Sequence, residues 1–246
     1  MAAKHQKLEF VINGHKIPVR IYRERRRNIR ASIGKTAAIL RMPKLMLAWQ
    51  QEEKIQWFYN WLEQKFSENE NLYAQFSQRE YKDGQILKVG ERQYLLRVLK
   101  EDRKHSKAQL DGKTIILRLS KESEASELLE KIPNLISREV AKDCQSMIER
   151  RVDDFNDKYF QQNITGVYLK YLHSRWGSCS NTGNINLSTR LLFAPNDVID
   201  YVIIHELAHL VEFKHSKRFW SIVQKIMPDY KEKEEWLAEN GPRCRF

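Results

Sequence analysis

The 246-residue chain is poor in cysteine: Cys144, Cys179 and Cys244 are odd in number, widely scattered and form no C-x-x-C pair. That argues against a disulfide framework and against a cysteine-built structural zinc site, and it suits a reducing compartment. Long apolar runs are missing too. The longest stretch, Val198 to Val211, is interrupted by Asp200, His205, Glu206 and His209, well short of the roughly 18 apolar residues of a membrane span. The basic N-terminus leads into no apolar segment, so no secretory signal is read there, and the expectation is a cytoplasmic protein without a membrane partner. Internal repeats, low-complexity segments and Gly- or Pro-rich linkers are absent. With 41% hydrophobic and 30% charged residues, the chain is too apolar for disorder and long enough for one sizeable core or two small ones.

Acidic residues are scarce in one place. The first fifty residues hold twelve Lys or Arg against Glu9 and Glu24, a net +10, while the remainder carries 31 basic and 30 acidic residues. So lopsided a field attracts a polyanion such as nucleic acid, or an acidic protein partner, with Arg23, Arg25, Arg26, Arg27 and Arg30 at its centre. On an alternating strand Arg23, Arg25 and Arg27 share one face. The plain alternative is a solvated surface.

Short apolar or alternating runs at residues 8–12, 17–22 and 37–42 read as strands, with Asn13-Gly14 as a hairpin turn. The spacing then becomes helical: Ile55, Phe58, Leu62 and Phe66 form one stripe, and Trp49, Trp57 and Trp61 beside it read as core. Residues 94–99 and 114–119 read as further strands. After Pro133, apolar residues from Ile136 to Tyr159 recur at three and four, a long amphipathic helix with Cys144 buried on its stripe.

Pro195, Asn196 and Asp197 suit a helix start, and an apolar face follows through Val198, Tyr201, Val202, Ile204, Leu207 and Ala208. His205 and His209, four apart, leave one face of that helix a turn apart and can close on one metal ion. Glu206, one step round, can reach a reacting water without ligating the metal, the logic of H-E-x-x-H in zinc hydrolases. Three of seven histidines, His205, His209 and His215, fall within eleven residues. His215, six positions after His209, offers the third ligand a catalytic zinc needs; Glu212, or an acid among Glu232, Glu234 and Glu235, competes for that place. Residues 216–226 read as the next helix, ended by Pro228. Upstream, Asn184 to Ser188 alternates like a strand with one buried face. Its edge is expected to pair with an extended substrate, Asn184 and Asn186 lying on it and Arg175 and Trp176 anchoring the turn before it.

Arg175-Trp-Gly-Ser-Cys179, Asn184-Ile-Asn-Leu187, Leu192-Phe-Ala-Pro195, Val198-Ile-Asp-Tyr-Val202, His205-Glu-Leu-Ala-His209, His215-Ser216, Phe219-Trp220 and Pro228-Asp-Tyr230 stand in this order in the chain. In these residues the chain resembles the YgjP-like zinc metallopeptidases, zincins related to the SprT-like proteases, from about residue 15 to 240 and more loosely over 67–120. The resemblance implies one catalytic Zn2+ held by His205, His209 and His215, with Glu206 as catalytic base and acid. It also implies an α+β fold with a sheet over the active-site helix. The expected organisation is a β-rich, basic N-terminal region with one helix, residues 1–120, and a zincin-like catalytic core, residues 121–246, the two read as one integrated unit. The leading reading is a metallopeptidase acting on peptide or protein substrates. The alternatives are a basic nucleic-acid-binding or adaptor module that retains the zincin core, and a zinc hydrolase of a non-peptide amide. SprT-like relatives act on proteins attached to DNA, which would give the basic segment a use.

Overall fold

The computed structural model describes residues 5–34, 36–76 and 79–246. Lys4 and Lys35 of the basic segment, and the start of the N-terminus, lie outside them. The chain is mixed α+β and divides into two compact units, residues 1–78 with 239–243, and residues 79–238 with 244–246. No described helix is long and apolar enough to cross a membrane.

In the first unit, β1 (His5–Ile12) and β2 (His15–Glu24) form an antiparallel hairpin closed by Asn13 and Gly14. Both turn residues take positive φ, +50° and +80°, the backbone that an Asn-Gly two-residue hairpin favours. With β3 (Arg30–Ile33) and β4 (Ala38–Pro43) the sheet order is β1-β2-β4-β3. One face of it, carrying Ile17, Val19, Ile21, Leu40 and Met42, packs on Phe58, Leu62 and Phe66 of α1 (Ala48–Glu68). The tryptophans depart from expectation: Trp49 is 61% and Trp57 44% exposed, and only Trp61 turns inward, stacked on Phe58. Phe58, Leu62 and Phe66 fill the sheet-facing stripe, which leaves the flank to solvent.

The basic run also departs from its strand reading. β2 ends at Glu24, and residues 25–29 form a loop to β3, so side chains there do not alternate. Arg23 donates to Gln51 and Gln6, and Arg26 and Arg41 pair with Glu24. The side chains of Arg25, Arg27 and Arg30 are exposed and make no hydrogen bond or ion pair among the described residues.

The second unit begins with β5 (Ile86–Val89), β6 (Arg92–Glu101), β7 (Lys107–Asp111) and β8 (Thr114–Ser120), in sheet order β5-β6-β8-β7. The sheet is followed by α2 (Ala125–Phe155), then β9 (Gly166–Lys170), β10 (Gly177–Cys179) and β11 (Asn184–Ser188) in order β10-β11-β9. The helices α3 (Asn196–Ala208), α4 (Lys217–Ile226) and α5 (Tyr230–Asn240) complete it. One hydrophobic core joins Leu96, Ile115 and Leu117 of the larger sheet, Val140, Cys144 and Ile148 of α2, Ile185 and Leu187 of β11, and Val202 and Leu207 of α3. The boundary between the two compact units lies at residue 78. The composition shift near Lys121 marks the passage from β8 to α2 inside one core. α2 also starts at Ala125, with Pro133 inside it rather than at its beginning.

Candidate metal centre

α3 is apolar nearly all round, with Val198, Ile203, Ile204 and Leu207 at 1% exposure or less, as a helix in the middle of a core must be. Arg151 fixes its first turn through Asn196 and Asp200. His205 and His209 project near its C-terminal end, where His209 is the last helical residue's cap. The chain then turns back through residues 210–215. Ser216 caps α4 by accepting a hydrogen bond from the Phe219 amide at 3.3 Å, which holds His215 opposite the other two.

The three histidines offer nitrogens within 4.8 Å of one another, the one such cluster of His, Cys and carboxylate groups among the described residues. Nε2 of His205 and Nε2 of His215 are 3.0 Å apart. Nitrogens bound tetrahedrally at about 2.0–2.1 Å stand roughly 3.3 Å apart, so the spacing suits one small cation. Glu212 is outside the cluster, and its carboxylate instead accepts from the Lys214 amide. Burial and the neighbouring imidazoles push His205 down to about 3, and burial followed by His215 lowers His209. Both rings are thus neutral near pH 7, with lone pairs available to a metal. The buried ring of Phe219 lies 4.6–4.9 Å from all three imidazole centroids and forms the floor beneath them. The Tyr201 hydroxyl lies 3.5 Å from Nδ1 of His205, on the ring's side away from His215's Nε2 contact. Tyr201, Phe219 and Gly177 are site residues that the sequence reading left out; Tyr201 shares the four-residue spacing of His205 and His209, which is a usable signal.

Glu206 is 5% exposed, and its buried Oε2 has no hydrogen-bond partner. Burial raises its pKa to about 8, against the opposing charge of Arg175. β10 passes so close that only glycine fits at 177. Two cavities, about 530 and 430 Å³, open on either side and share Arg175, Gly177, His205 and Glu206 in their walls. A cleft thus runs across the site with the carboxyl and the imidazoles at its middle.

The expected substrate strand needs correction. β11 is the central strand of β10-β11-β9, paired antiparallel with β10 and parallel with β9, so neither of its edges is open; the strand at the sheet's edge beside the cleft is β10. Asn184 bonds Thr182 in the hairpin, and Asn186 bonds Ser178 at 3.3 Å; neither lines the cavities. Trp176 lines the smaller one beneath the Arg190 guanidinium, 4.4 Å from its ring centroid, and Arg175 lines both. Cys179 is half-buried in the larger cavity, its thiol pushed up to about 11 by burial and then by Glu206, hence protonated and unreactive at neutral pH.

The YgjP-like metallopeptidase domain matches residues 27–240. Among solved structures, the chain is similar to the metallopeptidase zymogen of Pyrococcus abyssi abylysin, with 29% identity over 37% of this chain and 90% of that one and a TM-score of 0.35. It is also similar to the metallopeptidase zymogen of Methanocaldococcus jannaschii jannalysin, with 18% identity over 37% and 93% and a TM-score of 0.34. No curated protein matches. With the domain match extending over most of its length, the chain belongs to the YgjP-like metallopeptidase family.

Proposed function

We propose that the protein is a zinc peptidase in which His205, His209 and His215 hold one Zn2+ and Glu206 carries the proton. The observation that carries this reading is the convergence of three imidazoles beside a buried carboxyl whose Oε2 has no partner. With zinc bound, the site gains Lewis acidity, which polarises a scissile carbonyl and makes water a better acid. Glu206 takes the proton from the attacking water and gives it to the leaving nitrogen, a role suited to a carboxyl whose pKa burial has moved toward neutrality. Tyr201 orients His205, and Phe219 fixes the plane of all three rings. The edge of β10 pairs with the backbone of an extended substrate and delivers the scissile bond to Glu206.

A purely structural role for the core fits less well. A buried carboxyl without a partner is costly, and a module without chemistry has no use for it. The test is an unbiased peptide-library digestion by the zinc-loaded chain beside its Glu206→Gln variant. Peptide cleavage by the former and its loss in the latter is the expected result; cleavage of other amides alone points to a non-peptide hydrolase.

A second reading concerns the first unit, which we propose binds a polyanion through Arg25, Arg27 and Arg30, the three cations of the basic loop and β3 that are exposed and unbonded. Nucleic acid is the preferred ligand and an acidic protein the alternative.

A further inference from the structure

Arg175 stands at the one place where both cavities meet, next to Gly177 and Glu206. It is exposed and makes no hydrogen bond or ion pair among the described residues, although Glu206 feels its charge. No other Lys or Arg lines either cavity, and the larger one has no acid besides Glu206. Its polar walls include the hydroxyls of Ser174 and Ser178. Ser178 Oγ accepts from Asn186 Nδ2 at 3.3 Å, which leaves its own proton free to donate. The smaller cavity differs: Trp176, Val202 and Leu237 give it apolar walls, and the exposed Glu234 gives it the opposite charge.

A planar guanidinium with unused donors, beside two hydroxyls in a cavity whose one acid is the buried Glu206, which does not bond it, is suited to bidentate binding of a carboxylate. We propose that Arg175, with Ser174 and Ser178, forms a carboxylate-recognition subsite in the larger cavity, so that the enzyme prefers peptides bearing a carboxylate next to the scissile bond. The inference rests on the peptidase reading above. The carboxylate is supplied either by an Asp or Glu side chain or by the free C-terminus of the substrate. On the other side of the scissile bond, Glu234 and the apolar walls disfavour acids, so the preference is one-sided.

The experiment has two arms on the full zinc-loaded chain. In the first, a peptide library with Asp or Glu at each position around the cleavage site, in free-acid and C-terminal amide forms, is digested by wild type, Arg175→Lys and Arg175→Glu. Wild type favours the carboxylate at one flanking position by roughly tenfold; Arg175→Lys retains part of that, and Arg175→Glu reverses it toward Lys and Arg, with the change carried mainly by KM. Loss of cleavage on C-terminal amidation identifies the terminus as the source; its persistence identifies the side chain. In the second arm, binding of a fluorescent Asp/Glu peptide to Glu206→Gln is titrated with and without Arg175→Glu. Binding that depends on Arg175 without any cleavage by wild type supports the subsite and overturns the peptidase reading. Cleavage or binding with no carboxylate preference, or with the same preference in Arg175→Glu, overturns the subsite.

Discussion

A Cβ built on Gly177 would lie 2.4 Å from Oε1 of Glu206 and 2.7 Å from its Cγ. The edge strand and the helix carrying the histidines are therefore in backbone-to-side-chain contact at the carboxyl. Gly177→Ala displaces Glu206, since the added methyl takes the place of its carboxyl and the cavities on either side leave the carboxyl room to move off its position. Peptide cleavage should fall roughly 10²-fold, the scale for a displaced catalytic group, with zinc content unchanged. Wild-type turnover in that variant would mean that Glu206 does not act from the position described.

Glu206→Gln preserves shape and removes the proton-carrying oxygen. Hydrolysis should drop by roughly 10² to 10⁴ fold, while zinc content stays at the wild-type value and thermal unfolding does not fall below it. Unchanged turnover on a verified substrate would remove Glu206 from the mechanism.

Phe219, fully buried beneath three imidazoles, links stability to the metal site. Phe219→Ala should cost about 3–5 kcal/mol in urea unfolding of the metal-free chain and weaken zinc affinity as well. A stability loss with wild-type affinity would show that the rings are held by other contacts.

Neutralising Arg25, Arg27 and Arg30 together should abolish most polyanion binding by the first unit. If each meets one phosphate of duplex DNA, the log-log salt slope of wild type is about −3 and becomes nearly flat in the triple variant. Absence of binding to DNA or RNA at low salt would leave an acidic protein as the partner of this surface.

The parts of this fold governed by local periodicity were legible in the sequence. His205, Glu206 and His209 sit on a helix because the apolar residues around them recur at helical spacing, and Asn13-Gly14 turns a hairpin because both residues tolerate positive φ. Long-range partners were not legible. Nothing local to Asn184–Ser188 says that β9 and β10 occupy both of its edges, and alternation along a strand is the same at a sheet's centre and at its margin. Trp49 and Trp57 follow the same limit, since helical spacing marks an apolar flank but not which stripe the sheet covers. Gly177 acquires its role only when β10 and α3 meet.

Zinc stoichiometry of the purified chain beside its His215→Ala variant tests the metal centre most directly. Three converging imidazoles predict one equivalent of zinc per wild-type chain and severe loss in the variant, because two imidazoles alone hold zinc poorly. Full occupancy in His215→Ala, or none in the wild-type chain under zinc excess, would contradict it.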